Sequence, residues 1–243
     1  QGKVAARHRA IQEACSEAIL ITDSDMVPHP ELIHEHIEAQ YNSEEQTCFE
    51  GRAFNMKNLH WPPKTEFLYP QVQKNVSDGG KLGWYYFLTG NISFPTRLYF
   101  AHKGFDQDFK GYGWEDLELG YRLSKANVPI RYLKSAINYH YHVISEEEEI
   151  IRNVNKGESA QLFLKKHPEL KLFLGLNPLS RGVFPAINYK GRLFNWIKRY
   201  CYQSKIGMLH TFGFWFLKEY YYMQGILNTP NLDKIKKESK VNL

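Results

Sequence analysis

Ala18-Ile19-Leu20-Ile21-Thr22-Asp23-Ser24-Asp25 is the stretch on which the fold turns. A run of apolar and β-branched residues stops at three polar ones, the pattern of a buried strand that ends in two acids. In open α/β sheets ligands bind beyond the carboxyl ends of strands. Asp23 and Asp25 therefore stand where a site is built, and both can approach one divalent cation. Hard ions such as Mg²⁺ or Mn²⁺ take carboxylate oxygens together with substrate phosphates. An EF-hand is excluded, because the sixth position counted from Asp23 is Pro28, where that loop needs glycine. The same pair also fits a turn whose Asp side chains accept from nearby backbone N–H groups.

Upstream, Val4, Ile11, Ala14 and Cys15 recur at helical spacing and predict a helix over 3–16 that carries Arg7 and Arg9. Downstream, Pro30 suits the first turn of a helix over about 30–41. His34 and His36 on that helix are two apart, share no face and read as bland. Residues 47–54 read as a strand, 55–82 as a long polar loop, and 84–88 and 92–94 as strands around Thr89-Gly90-Asn91. A short helix follows Pro95 and ends before Gly104, a helix spans 115–126, and 128–140 is extended. Beyond residue 158 the chain reads as helical, with an end or bend at His167-Pro168 and a long aromatic helix over 206–227. The run of four glutamates at 146–149 reads as a solvated helix start.

Two further clusters carry chemistry. In Gly111-Tyr112-Gly113-Trp114-Glu115-Asp116 the glycines permit close approach of a ligand, and Trp114 offers a flat face for a sugar ring. Glu115 and Asp116 open a helix, where a carboxylate can serve as general base or simply cap the helix. His140-Tyr141-His142 closes the extended segment. Its two histidines point to opposite faces of a strand, so only one of them can easily join a given metal.

Composition narrows the classes. The chain has 243 residues, 43% hydrophobic and 23% charged, which excludes a disordered chain and suits one domain with a helical appendage. Cys15, Cys48 and Cys201 are odd in number and widely spaced, forming neither a zinc pattern nor a disulfide framework, and point to a reducing cytoplasmic compartment. No apolar run is long enough to span a membrane. Residues 190–243 hold ten Lys/Arg against three Asp/Glu, so the net charge of +5 belongs to the tail. A basic, aromatic tail fits the inner face of an anionic membrane, or a solvated helical face packed on the domain. No recognition motif points to nucleic acid. The first residues, Gln1-Gly2-Lys3-Val4, are neither a start methionine nor a signal peptide, and the chain reads as part of something longer.

The order of these motifs resembles a family 2 glycosyltransferase of the GT-A fold, an α/β, Rossmann-like architecture. It is most similar to the subset with a galactosyltransferase-type acceptor segment, as in chondroitin-polymerase-like enzymes. The matching residues are Ala6-Arg7-His8-Arg9-Ala10-Ile11, Ile19–Asp25, Leu88–Phe94, Gly104–Phe109, Gly111–Leu123 and Tyr139-His140. The resemblance covers roughly residues 2–170. It implies a catalytic region over 1–180 and a basic, aromatic helical region over 181–243. It implies that Asp25 holds Mn²⁺ or Mg²⁺ on the donor diphosphate, that Asp23 touches the ribose or the metal's waters, and that His140, or its rival His142, completes the site. Arg7 would lie near the nucleotide, Thr89, Gly90 and Asn91 beside the donor sugar, and Trp84 or Trp114 under the acceptor. Glu115 would bind the acceptor and Asp116 would be the base of an inverting displacement. The partners implied are a nucleotide-diphosphate sugar and a glycan or lipid-linked acceptor.

Two departures stand against the pattern. His8 occupies a position where the family usually has Asn, and the opening strand–helix–strand portion that holds the nucleotide base is missing. The 243 residues alone are thus expected to bind nucleotide sugar weakly or not at all. A non-catalytic carbohydrate-binding fragment and a metal-dependent phosphoesterase are the other readings.

Overall fold

The structure, a computed structural model of the chain, describes residues 2–43, 46–141 and 144–239. His142 lies outside the described residues. Two compact units are present, one formed by Gln1–Asp108 with Glu115–Val143, the other by Phe109–Trp114 with Ile144–Leu243. The units part near residue 143, earlier than the 180/181 division expected from sequence. The reason is helix α5 (Glu146–Lys166), whose Ile150, Val154 and Phe163 are buried within the helical unit.

The first unit carries α1 (Lys3–Glu13), β1 (Ala18–Ile21), β2 (Met26–Pro28), α2 (Leu32–Tyr41), β3 (Cys48–Met56), β4 (Leu68–Pro70), β5 (Lys81–Leu82), β6 (Ile92–Pro95), α3 (Thr96–Ala101), α4 (Glu115–Lys125) and β7 (Ile130–His140). The strands form one sheet in the order β1-β6-β3-β7-β2, with β4 added to β3 and β5 to β7. β3 and β7 run parallel, and the other pairs are antiparallel. Phe49, Ile92, Phe94, Leu98, Leu119 and Ile130 are among its buried side chains.

Three local outcomes differ from the sequence expectations. β1 was expected to be wholly buried. It instead alternates half-buried Ala18 and Leu20 with buried Ile19 and Ile21, because successive side chains of a strand point to opposite faces of the sheet and only one face here is fully covered. Residues 84–86 form a 3₁₀ turn instead of a strand: the Tyr86 N–H donates to Gly83 O at 3.0 Å, and the Trp84 ring meets Tyr121 edge-on at 5.1 Å. Gly120 leaves room for the Trp84 carbonyl, which any Cβ there would strike. The long loop after β3 contains β4 and β5 and so returns twice to the sheet.

The second unit is helical. Besides α5 it contains α6 (Pro178–Ala186), α7 (Arg192–Trp196) leading into a π-helical turn (Ile197–Tyr202), α8 (Gly207–Ile226) and α9 (Leu232–Ser239). The four glutamates begin α5 under a capping box: Ser145 Oγ accepts from the Glu148 N–H at 3.2 Å, and Glu148 Oε2 accepts from the Ser145 N–H at 3.0 Å. The helix stops at His167, before Pro168. α5 and α8 meet through Gly157 and Gly225, each of which faces backbone of the other helix where a Cβ would collide. Ile150, Val154, Phe194, Ile197, Leu217 and Tyr220 belong to the core around them. No helix among the described residues is long and apolar enough to cross a membrane.

Candidate active site

Strand register brings the metal-type residues together. β7 lies between β3 and β2, and His140 is paired with Asn55 on one side and Met26 on the other. Asp25, just before Met26, thus meets the end of β7, where its carbonyl accepts from the Tyr141 N–H at 3.0 Å. Asp25 Oδ2 lies 3.3 Å from His140 Nε2. The other ring nitrogen, Nδ1, is 3.0 Å from Asn55 Oδ1 and 3.5 Å from Gln71 Nε2. Nδ1 thus meets an amide oxygen and an amide nitrogen, which orient the ring so that Nε2 faces Asp25. A carboxylate oxygen and an imidazole lone pair side by side fit a divalent ion, and a histidine oriented through its second nitrogen is the usual arrangement for a ligand. Among the described residues no group of three or more His, Cys, Asp or Glu side chains converges in this way. Asp25 and His140 fit Mn²⁺ or Mg²⁺ as a partial set, which donor phosphates would complete.

Asp23 is held differently. Arg7 Nη2 donates to Asp23 Oδ1 at 2.6 Å, while Nη1 donates to Glu115 Oε1 at 3.2 Å. Lys3, one turn earlier on α1, puts Nζ 2.6 Å from the same Glu115 oxygen. Glu115 is 1% exposed, and its Oε2 finds no hydrogen-bond partner among the described residues. Asp116 is half-buried, and its Oδ1 accepts from the Leu117 N–H at 2.8 Å. Burial, reinforced by the charge of Glu115, pushes Asp116 up to about 6. Helix α4 is anchored behind these acids by Arg122, which donates to the carbonyls of His102 and, at 2.6 Å, Gly104, its guanidinium held in place by the buried Glu118 one turn earlier on the same helix.

Thr89, Gly90 and Asn91 are all buried. Gly90 packs against Met26, and a Cβ on it would lie 3.7 Å from Asp23 Oδ2. Asn91, expected beside a donor, is turned inward. Its Nδ2 donates to Ala136 O at 2.8 Å, and its Oδ1 lies 2.9 Å from His36 Nε2. With both ends of the amide engaged, it supports the Gly90 turn from behind. The bland reading of His36 is corrected by the same contacts. The ring is 2% exposed and also bonds Ser93 Oγ at 2.8 Å. Burial lowers its pKa, so it is neutral, donating from Nε2 and accepting at Nδ1.

Trp84 is half-buried against Tyr85 and Tyr121. Trp114 is part of the second unit, where its Nε1 donates to Lys156 O at 3.0 Å and its ring packs near Phe163, Phe173 and Tyr222.

One buried pair escaped the sequence reading. Lys74, on the loop between β4 and β5, donates from Nζ to Glu50 Oε1 at 3.1 Å and to Gly51 O at 2.7 Å. Glu50 Oε2 accepts from the Leu88 N–H at 3.3 Å, one residue before Thr89. Burial pushes Glu50 up to about 8 against the pull of Lys74. A polar residue in a loop otherwise read as irregular carried no periodic signal.

Parts of the chain are similar to known glycosyltransferases. A family model described as "Glycosyl transferase family 2" matches residues 1–103, and one described as "N-terminal domain of galactosyltransferase" matches residues 72–146. The chain is 29% identical over 163 residues to validoxylamine A glucosyltransferase of Streptomyces hygroscopicus subsp. jinggangensis, covering 66% of this chain and 36% of that one. It is 34% identical over 83 residues to a chondroitin synthase of Escherichia coli, covering 34% of this chain and 12% of that one. The chain thus spans little more than a third of the first relative, 36%, and less of the second. Among solved structures it resembles a mannosyltransferase from Pyrobaculum calidifontis in complex with GDP-Man and Mn²⁺, with a TM-score of 0.50, 10% identity and coverage of 94% and 67% of the two chains. That likeness shows the fold, the GT-A type.

Proposed function

Residues 1–103 match the family 2 glycosyltransferases and residues 72–146 a galactosyltransferase-type segment, and from that premise we propose a specific reaction. The protein moves a hexose or N-acetylhexosamine from a nucleotide-diphosphate sugar to a hydroxyl of a glycan or lipid-linked acceptor, with inversion. The observation that supports this most is Arg7, which ties the acid of the metal-type motif, Asp23, to the acid beside the proposed base, Glu115.

In this reading Asp25 and His140 hold Mn²⁺ or Mg²⁺. When bound, the ion offsets the charge that develops on the departing nucleoside diphosphate. Asp116 accepts the proton of the acceptor hydroxyl as that oxygen bonds to the anomeric carbon and the bond to the diphosphate breaks. A carboxylate raised to about 6 is a stronger base than an ordinary aspartate and still mainly ionised at neutral pH. Glu115, buried between Lys3 and Arg7, orients the acceptor side indirectly by fixing the start of α4 beside Asp116, with Trp84 as an apolar surface for a sugar. Arg7 positions both acids, and the Gly90 turn brings backbone close to Asp23 on the donor side. The protein works on the cytoplasmic side, in peripheral contact with the membrane through residues 190–243.

The test is calorimetric titration of Mn²⁺ into the chain with UDP or GDP present, together with transfer from labelled UDP- and GDP-sugars to glycan acceptors. Asp25→Asn and His140→Ala should weaken the metal-dependent signal. Transfer that is unaffected by chelation and by both substitutions would overturn the reading.

A further inference from the structure

Residues 170–218 contain eight Lys or Arg and no Asp or Glu. The second unit folds this acid-free stretch into α6, α7, the π-helical turn and the first half of α8. Its inner side is ordinary core, with Phe194, Ile197, Cys201 and Phe216 buried together. Its outer side is also apolar. Leu193, Trp196 and Tyr200 follow one another at helical spacing and are 52%, 54% and 56% exposed. Met208, Phe212 and Trp215 do the same on α8, at 80%, 45% and 52%. The two stretches meet at Gly213, where the backbone of Cys201 and Tyr202 occupies the place of a side chain. Trp196 and Tyr200 have ring centroids 6.0 Å apart, as do Phe212 and Trp215, and the Arg199 guanidinium lies 5.7 Å from the Tyr200 ring. Lys198, Arg199 and Lys205 lie between these residues in sequence. The acids of α5 that reach α8 and the turn before it are engaged there: Glu146 with His210, Glu147 with Tyr202 and Glu149 with Lys218.

Large apolar side chains left in water mark an interaction surface. The chemistry narrows the partner. A soluble polyanion would satisfy the cations but leave Trp, Phe and Met in water. A second copy docked face to face would cover the apolar groups but set one cationic surface against another. A bilayer with anionic headgroups meets both demands at once, because aromatic rings settle at the headgroup boundary while Lys and Arg face the phosphates. We propose that the outer face of residues 193–215 is a docking surface for an anionic lipid bilayer. The proposal rests on the peripheral contact assigned above and narrows residues 190–243 to this face, leaving α9 outside it.

Flotation of the 243-residue chain with phosphatidylcholine vesicles, with and without about 30% phosphatidylglycerol, tests it. The chain should float with the anionic vesicles, roughly tenfold less with neutral ones, and detach in high salt. Trp196→Ser with Trp215→Ser, and separately Lys198→Glu with Arg199→Glu, should each cut binding roughly tenfold while the thermal melt is kept. Absence of flotation, equal flotation with neutral vesicles, or indifference to both pairs of substitutions would overturn the proposal. So would a dimer, seen by light scattering, that the tryptophan substitutions dissolve. Turnover and Mn²⁺ titration in the same preparation report on the transferase reading alone, so failure of one is distinguishable from failure of the other.

Discussion

Arg7 joins Asp23 to Glu115: one guanidinium nitrogen is 2.6 Å from Asp23 Oδ1 and the other 3.2 Å from Glu115 Oε1. A single side chain on α1 therefore sets the distance between the loop after β1 and the start of α4. The side chain of Arg7 is 18% exposed and that of Glu115 2%, so the pair is largely withdrawn from water.

Replacing Arg7 by Met should leave Glu115 with Lys3 as its ion-pair partner and release Asp23. Because Lys3 stays 2.6 Å from Glu115, the cost should be about 1–2 kcal/mol, below that of a wholly orphaned buried charge. Urea melts measure it. Arg7→Lys should recover little, since an ammonium does not span both acids.

Asp116 as base gives a signed pH profile. It works only when ionised, so kcat/KM should rise as pH passes about 6 and level off above. Asp116→Asn should remove that limb and lower turnover by about 10²–10⁴-fold while Mn²⁺ and nucleotide binding persist. A profile that is flat through this range, or retained turnover in the variant, excludes Asp116 as the base.

Glu50 makes stability depend on pH. Its carboxyl is raised from 4.5 to about 8 in the folded chain, which therefore keeps a proton that the unfolded chain releases. The associated stability is complete below about 4.5 and is lost as pH rises toward about 8. Asp116 contributes the same sign up to about 6. Between about 6 and about 8 Glu50 adds a falling slope of at most about 1.4 kcal/mol per pH unit, and because His36 and His210 also titrate near this interval it is the difference between parent and Glu50→Gln that reports Glu50. Denaturant midpoints at several pH values should show that slope in the parent and a flatter line in Glu50→Gln.

Asn55 Oδ1 lies 3.0 Å from Nδ1 of His140, the histidine proposed to hold the metal through its other nitrogen. Asn55→Leu removes one of the two amides that orient the His140 ring, and Mn²⁺ affinity with nucleotide present should fall about 10–100-fold. Calorimetry on the variant decides; unchanged affinity would mean that His140 needs no such support.

Gly157 and Gly225 test the helical unit. A Cβ on either would run into backbone of the opposite helix, so even Gly157→Ala should cost about 1–3 kcal/mol by thermal or chemical melt. The usual gain in helix propensity from Gly to Ala, about 1 kcal/mol, would appear instead if the helices could part.

Much of the site was readable from adjacent letters. The strand Ala18–Ile21 with its two acids, the helix opened by Glu115 and Asp116, and the extended run to His140 all announce themselves through periodicity and abrupt polarity. What could not be read was which residues support them. His36, Asn55, Glu50 and Lys74 are single polar letters without a pattern, and Asn91 looks like a ligand-facing residue until its amide is seen bonded at both ends.

The sequence by itself determined the strand-and-acid motifs, their order and the basic character of the tail, because hydrophobic period and charge are local properties of the chain. Only the tertiary structure decided that Asp25 meets His140 while Asp23 goes to Arg7. That division depends on β7 lying between β3 and β2 in one particular register, and a one-residue slip would turn His140 to the opposite face of the sheet.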